Sequence, residues 1–180
     1  NLLQQHDYSL SELIEIFIQV GEGLEFMHAN GYVHGDMKPE NVVVTPDLNA
    51  TLVDFGFSCP LHTKLTGARG TREYIAPEQV NGGLLTEMTD IYNFGASIYR
   101  MVTGKALPAR MPSHRANDSA VFIAAGKDMK ATPMYQARPG VPHTLSDVVM
   151  QCCEHKQARR PKSMREVVAR LRHELPLLAR

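Results

Sequence analysis

Four side chains that could support phosphoryl transfer lie within a span of nineteen positions: Asp36, Lys38, Asn41 and Asp54. A carboxylate such as Asp36 can orient an attacking hydroxyl and accept its proton, and a nearby ammonium can balance charge on the moving phosphoryl group. Asn41 and Asp54 offer amide and carboxylate oxygens, the hard ligands that Mg²⁺ prefers. The spacing therefore predicts a site that transfers a phosphoryl group from a nucleotide in the presence of Mg²⁺.

Two further motifs support this chemistry. Phe55 and Gly56 follow Asp54 directly, and Ala76-Pro77-Glu78 ends the segment that begins there. A single Asp in a loop is more often a turn or cap residue than a catalytic one. The argument for chemistry rests on the whole set of offsets and not on any one residue.

The elements that must position these side chains can be predicted from periodicity. Ser9 and Glu12 have the spacing of a capping box, and Asn30-Gly31 ends the helix that follows. Apolar residues on one face of this helix are Leu13, Phe17, Val20, Leu24 and Met27. Two β-rich runs, 42–44 and 51–53, predict a hairpin with the catalytic-type residues on the loops at its ends.

The rest of the chain is predicted to be mainly helical. Residues 59–70 are polar with two glycines and are expected to form a mobile loop, while residues 105–142 show no clear periodicity. Helices are predicted over 77–81, over 89–102 with burial on nearly all sides, over 144–153, and from 163 to about Glu174. The expected architecture is one mainly α-helical domain with a small β-hairpin.

Composition narrows the classes of partner. The chain has 180 residues, 43% of them apolar, which is enough for one core. Lys plus Arg (19) balance Asp plus Glu (19), so nucleic acid is not an expected partner. No membrane segment or signal peptide is predicted. Cys59, Cys152 and Cys153 are expected to be free thiols in a reducing compartment.

In their order and approximate spacing, the motifs resemble the C-terminal lobe of a eukaryotic-type serine/threonine protein kinase, over essentially all 180 residues. Residues 34–41 resemble its catalytic loop, Asp54-Phe55-Gly56 its metal-binding motif, and Ala76-Pro77-Glu78 the end of its activation segment. Lys38 is typical of the serine/threonine branch and would lie beside the phosphates of ATP. The resemblance implies a helical bundle around a buried central helix, with protein Ser/Thr hydroxyls as phosphate acceptors.

The resemblance also assigns roles to residues outside these motifs. The hydroxyl of Thr71 would contact the catalytic aspartate and lysine. Asp90, on the central helix, would hold the backbone of the catalytic loop. Arg160 would pair with Glu78 in a buried ion pair, in which a one-sided change costs roughly 3–5 kcal/mol.

The resemblance implies roles for further residues, and all of these except Val43 also have a simpler interpretation. Val43 would form the floor under adenine. His34 and Phe55 would belong to an apolar stack that links the two lobes, and both would equally serve as core residues. Glu40 is either a contact for a basic residue of the substrate or a solvated loop charge. Phe57 either favours serine over threonine as the acceptor or simply packs.

The chain departs from the family pattern in two respects. Most members have Arg at the position of Gly35, where it pairs with a phosphate on the activation segment. Activity is therefore predicted not to require phosphorylation of Thr63 or Thr66, although autophosphorylation there or on Ser58 remains plausible. Residues 1–180 are also expected to lack the N-terminal lobe and hinge, so the chain alone is predicted to be inactive without that lobe as its partner.

Two alternatives remain open at this stage. A pseudokinase scaffold would keep the fold without the chemistry. A small-molecule phosphotransferase of the aminoglycoside or choline kinase kind also carries a His-Gly-Asp loop, which Gly35 matches. Against it stand Lys38-Pro39, Gly70-Thr71 and Arg160, which are typical of protein kinases. The expected location is cytoplasmic, including the cytoplasmic part of a membrane-anchored parent.

Overall fold

The computed structural model describes residues 7–108 and 131–178, and its longest element is the first helix. Helix α1 spans Leu10–Ala29. Oγ of Ser9 accepts from the N–H of Glu12 at 3.2 Å, and Oε2 of Glu12 accepts from the N–H of Ser9 at 2.8 Å. The predicted capping box is thus confirmed, and Gly31 follows the helix with a left-handed φ of 82°.

The described part of the chain has two small antiparallel sheets. Strands β2 (Val42–Val44) and β3 (Ala50–Leu52) form the predicted hairpin, with Val42 opposite Leu52. The second strand starts one residue earlier than predicted, because this register pairs Ala50 with Val44 although alanine is a weak strand former. Strands β1 (Tyr32–Val33) and β4 (Cys59–Pro60) form a second sheet that periodicity did not predict.

The first half of the stretch 59–70, predicted as a mobile loop, instead contains strand β4 and is paired to a distant segment. Beyond β4, the N–H of His62 donates to Leu85 O at 2.7 Å, and the N–H of Leu65 donates to Gly83 O at 3.2 Å. Leu65 and Leu85 are buried with Val33 and Cys59 in a small separate cluster. Backbone pairing to a distant segment holds this stretch, and local polarity carries no signal for such pairing.

The remaining elements are helices. They are α2 (Pro77–Val80), α3 (Glu87–Thr103), α4 (Met134–Ala137), α5 (His143–Cys152) and α6 (Met164–Leu178), with 3₁₀ turns at Pro39–Asn41 and Gln157–Arg159. Helix α6 continues past the predicted end at Glu174 and contains Pro176, which has no N–H to donate to the preceding turn. No element was predicted within residues 105–142, and the structure has α4 there. Residues 109–130 lie outside the described residues. None of the described helices is long and apolar enough to span a membrane.

Helix α3 forms the centre of the core and packs against α1 and α5, while α1 also packs along α6. The Phe17 and Phe94 rings meet edge to face, with centroids 5.5 Å apart. Burial of each such side chain contributes about 1.5–3 kcal/mol. The hairpin is fixed to this core by Gln19 of α1, whose amide donates to Leu48 O and accepts from the N–H of Ala50, both at 2.9 Å. The fold therefore provides a rigid support for the loop before β2 and the loop after β3, which meet at the open end of the hairpin.

Candidate active site

Asp90, which is fully buried, fixes the start of the loop formed by residues 34–41. Its two carboxylate oxygens accept from the backbone N–H groups of His34 at 2.8 Å and Gly35 at 2.9 Å. Asp90 lies in the first turn of α3, where the helix dipole favours a negative charge. The carboxylate thereby ties the loop to the most buried helix, as the resemblance implied.

His28 provides a third contact to this carboxylate. Its Nε2 lies 2.8 Å from Oδ2 of Asp90, and the ring is buried at the end of α1. Sequence reasoning missed this residue, because a histidine in the last turn of an amphipathic helix carries no distinguishing pattern. Three elements (α1, the loop and α3) therefore meet at one carboxylate.

Asp36, Lys38 and Thr71 form a compact polar cluster. The hydroxyl and the N–H of Thr71 both donate to Oδ1 of Asp36, at 2.8 and 2.9 Å. The ammonium of Lys38 donates to the Thr71 hydroxyl at 2.8 Å and lies 2.9 Å from Oδ2 of Asp36. The structure thus brings together three residues that sequence reasoning placed in one site.

The pair expected to hold Mg²⁺ lies at the open end of the hairpin, with Asn41 just before β2 and Asp54 just after β3. The amide nitrogen of Asn41 donates to Asp36 O at 3.0 Å, and the N–H of Val53 donates to Asn41 O at 2.9 Å. Asp54 is exposed with a left-handed φ of 63°, and its Oδ1 accepts from the N–H of Gly56 at 3.2 Å. Such a φ in a residue other than glycine occurs mostly where the surrounding structure imposes it.

The predicted apolar contacts are partly formed. The rings of His34 and Phe55 lie 5.5 Å apart, with His34 buried and Phe55 54% exposed. Val43 is 45% exposed on the hairpin. His34 is therefore a core residue, whereas Val43 and Phe55 present apolar surface to solvent.

Glu40 lies at the rim of the polar cluster and is exposed. The hydroxyl of the buried Tyr74 is 3.5 Å from Oε1 of Glu40. Burial raises the pKa of Tyr74 far above its usual value, and the negative charges of Glu40 and Glu73 raise it further. This phenol therefore remains a neutral donor beside the loop.

Glu78 and Arg160 form a buried, bidentate ion pair. The guanidinium donates to both carboxylate oxygens of Glu78, at 2.7 and 3.0 Å, and to Met88 O at 2.6 Å. It also lies over the Tyr92 ring, 4.9 Å from the centroid. This pair fixes the start of α2 to the segment before α6, 82 residues further along the chain.

Comparison with known proteins agrees with this arrangement. A family model described as the protein kinase domain matches residues 1–171. Over 165 residues the chain is 30% identical to a probable serine/threonine-protein kinase of Clostridium acetobutylicum. The alignment covers 89% of this chain and 24% of that protein. For serine/threonine-protein kinase PknD of Mycobacterium tuberculosis the identity is 36% over 152 residues, or 82% and 22% of the two chains.

A plant protein is also similar. Salt tolerance receptor-like cytoplasmic kinase 1 of Oryza sativa subsp. japonica is 29% identical over 185 residues, covering 92% of this chain and 50% of that one. The chain therefore spans about a quarter of the two bacterial relatives and half of the plant one. Since the family model covers nearly the whole sequence, the chain belongs to the protein kinase family, and the curated relatives named here include kinases of the serine/threonine branch.

Proposed function

We propose that this chain is the catalytic and substrate-binding lobe of a protein kinase that transfers the γ-phosphoryl group of ATP to Ser and Thr hydroxyls of proteins. The observation that carries the proposal is the cluster in which Thr71 contacts both Asp36 and Lys38. A carboxylate, an ammonium and a hydroxyl in mutual contact provide a base, a phosphate partner and a means to orient both.

In this proposal the acceptor hydroxyl donates to Asp36, which takes its proton as the oxygen attacks the γ-phosphorus. The bond from that phosphorus to the bridging oxygen of ATP breaks, and ADP leaves with the bonding electrons. Lys38 stabilises the negative charge on the phosphoryl oxygens during transfer. Thr71 keeps the carboxylate in one orientation, because two of its donors bind the same oxygen.

The residues present fit Mg²⁺. The amide nitrogen of Asn41 is engaged by Asp36 O, which leaves its amide oxygen for a cation, and Asp54 presents a carboxylate at the exposed end of the hairpin. No group of three His, Cys, Asp or Glu residues suited to a metal occurs in residues 7–108 and 131–178. Mg²⁺ commonly uses one or two protein ligands and completes its shell with phosphates and water, so the two residues named here are sufficient for it. Bound there, Mg²⁺ would neutralise phosphate charge.

We further propose that residues 1–180 act only together with an N-terminal nucleotide-binding lobe. Val43 would contact adenine and Phe55 the other lobe, and both are about half exposed in this chain. A second lobe would cover this apolar surface. The substrate side is proposed to include Glu40 as a contact for a basic residue.

Transfer of labelled phosphate from Mg²⁺-ATP tests the proposal. The longest natural protein that contains this chain should label a generic basic protein on Ser or Thr, whereas residues 1–180 alone should not. Absence of transfer from the folded longer protein would contradict the proposed function. Equal transfer by residues 1–180 would contradict only the requirement for a second lobe.

A further inference from the structure

The side chain of Gln79, directly after the Ala76-Pro77-Glu78 motif, is 1% exposed and uses all four of its hydrogen-bonding positions. Its Nε2 donates to Gly35 O at 2.7 Å and to Arg69 O at 2.9 Å. Its Oε1 accepts from the N–H of Ala76 and from Nδ2 of Asn93, both at 2.9 Å. The two carbonyl partners fix which end of the amide is nitrogen.

These bonds connect three separate parts of the chain. Gly35 precedes the proposed base in the catalytic loop, Arg69 lies two residues before Thr71, and Asn93 lies on the central helix α3. Asn93 also donates to Tyr74 O at 2.7 Å. The amide of Gln79 therefore lies between the loop that carries Asp36 and the loop that carries Thr71.

The backbone at Gly35 is adapted to this contact. Its φ of 77° is left-handed, and a Cβ at this position would lie 3.1 Å from Phe57 O. A side chain here would be strained, whereas the carbonyl remains available to Gln79. The connection to the activation segment is made by a backbone carbonyl and a neutral amide, and position 35 has no charged side chain.

Arg69 extends the connection to the metal-binding motif. Its guanidinium lies over the Phe57 ring, 4.7 Å from the centroid, and donates to Gly56 O at 3.2 Å. The N–H of Arg69 also donates to Gln79 O at 3.3 Å. Gly56 is thus joined through Arg69 to Gln79.

We propose that Gln79 is a positioning residue that holds Thr71 against Asp36 and makes this geometry independent of phosphate on the activation segment. The proposal rests on the proposed kinase function. Gln79 would touch neither substrate nor nucleotide and would act through Thr71 and the backbone at Gly35.

The test compares Gln79→Met, which keeps the side-chain length but removes the amide, with wild type in the longest natural protein containing this chain. Gln136→Met, an exposed glutamine on α4, is the matched control. In Gln79→Met, kcat/KM for the protein acceptor should fall about tenfold or more, because small misplacements of catalytic groups are costly. ATP affinity should change less than about twofold, since the adenine contact at Val43 lies elsewhere.

A double-mutant cycle separates positioning from general stability. In a Thr71→Val background, Gln79→Met should cost little further activity, because the group through which it acts is already gone. An equal loss in both backgrounds, measured per folded molecule, would overturn the proposal. Should Gln79→Met fail to fold, Asn93→Ser removes one of the bonds to Gln79 and should show the same dependence on Thr71.

Hydrogen exchange tests the positioning role without an activity assay, so the result does not depend on the proposed kinase function. The N–H of Thr71 donates to Asp36, so hydrogen exchange in a peptide covering residues 69–75 reports on this contact. Gln79→Met should accelerate exchange there and leave peptides from α1 unchanged. Unchanged exchange at 69–75 would overturn the positioning role, even in a protein that proved inactive.

Discussion

The hydroxyl of Thr71 donates to Oδ1 of Asp36 at 2.8 Å, although 35 residues separate them in the chain. The same hydroxyl accepts from Lys38, so that one side chain orients both charged groups. The contact joins the loop that would hold the protein substrate to the loop that would perform the chemistry. It makes Thr71 a sensitive point for mutation.

Replacing Thr71 by Val should lower kcat/KM for a protein acceptor. The substitution keeps the shape but removes hydrogen bonds to two charged groups, each worth about 1.5–3 kcal/mol, so a loss of roughly 10²-fold or more is expected. Thr71→Ser keeps the hydroxyl and should retain activity within about threefold. Steady-state kinetics on both variants check this, and equal losses would show that the hydroxyl has no special role.

Breaking the Glu78–Arg160 pair should destabilise the fold. Arg160→Met would leave a carboxylate without its cation in a mostly buried site, at a cost of about 3–5 kcal/mol. Arg165→Met is the control: this arginine is 82% exposed and pairs with Glu25, so a loss of about 0–1 kcal/mol is expected. Urea unfolding measures both changes. Similar losses in the two variants would contradict the importance given to the buried pair.

Removing the hydroxyls of Thr63 and Thr66 together should leave activity within about twofold of wild type. Position 35 carries no guanidinium that could bind a phosphate, and Gln79 joins the segment to the catalytic loop without one. The double Thr→Ala variant would be assayed after mass spectrometry has confirmed its mass and circular dichroism its folding. Loss of transfer in folded protein would show that phosphorylation of this segment is required.

Stability should fall at alkaline pH because of Cys152. Burial raises the pKa of this thiol from 9.0 to about 12 in the folded protein. Between these values the unfolded chain has lost a proton that the native protein retains, so stability present below pH 9 declines as pH rises, by up to about 1.4 kcal/mol per pH unit. Burial raises the pKa values of Cys153 and Tyr74 as well, which adds to the same slope.

Urea unfolding at a series of pH values from about 8 to 10.5 would measure this slope. Cys152→Ala should make it shallower, whatever the variant costs in stability at neutral pH. Val33→Ala, which shortens a buried side chain in the smaller cluster and removes no titratable group, is the control and should leave the slope unchanged. A slope unaffected by Cys152→Ala would contradict the assignment.

Local signals in the sequence predicted most of the elements but only part of the site. The capping box at Ser9 and the run of β-branched residues at 42–44 are local features of the sequence, so α1 and the hairpin were predictable. The pairing of β1 with β4 depends on contacts between segments far apart, for which two-residue strands carry no periodic pattern. For this reason the sequence from Cys59 onward predicts a mobile loop, whereas the structure has a paired strand there.

The site shows the same contrast between residues that local signals identify and residues that only long-range contacts reveal. Fixed offsets identified Asp36, Lys38 and Asn41 as candidates, because the chemistry itself requires those residue types. Nothing in the pattern indicated Gln79 or His28, since an amide or an imidazole becomes informative only when its buried partners are known. Their contacts with Gly35 and Asp90 arise from the packing of helices α1, α2 and α3.

Phosphate transfer by an Asp36→Asn variant tests the central claim most directly. The assay would use Mg²⁺-ATP, a protein acceptor and the longest natural protein containing this chain, with Asp147→Asn at an exposed position of α5 as the matched control. We expect transfer to fall by about 10²-fold or more in Asp36→Asn, the loss that follows removal of a positioned base, and to stay unchanged in the control. Equal transfer by wild type and Asp36→Asn would contradict the assignment of Asp36 as the base.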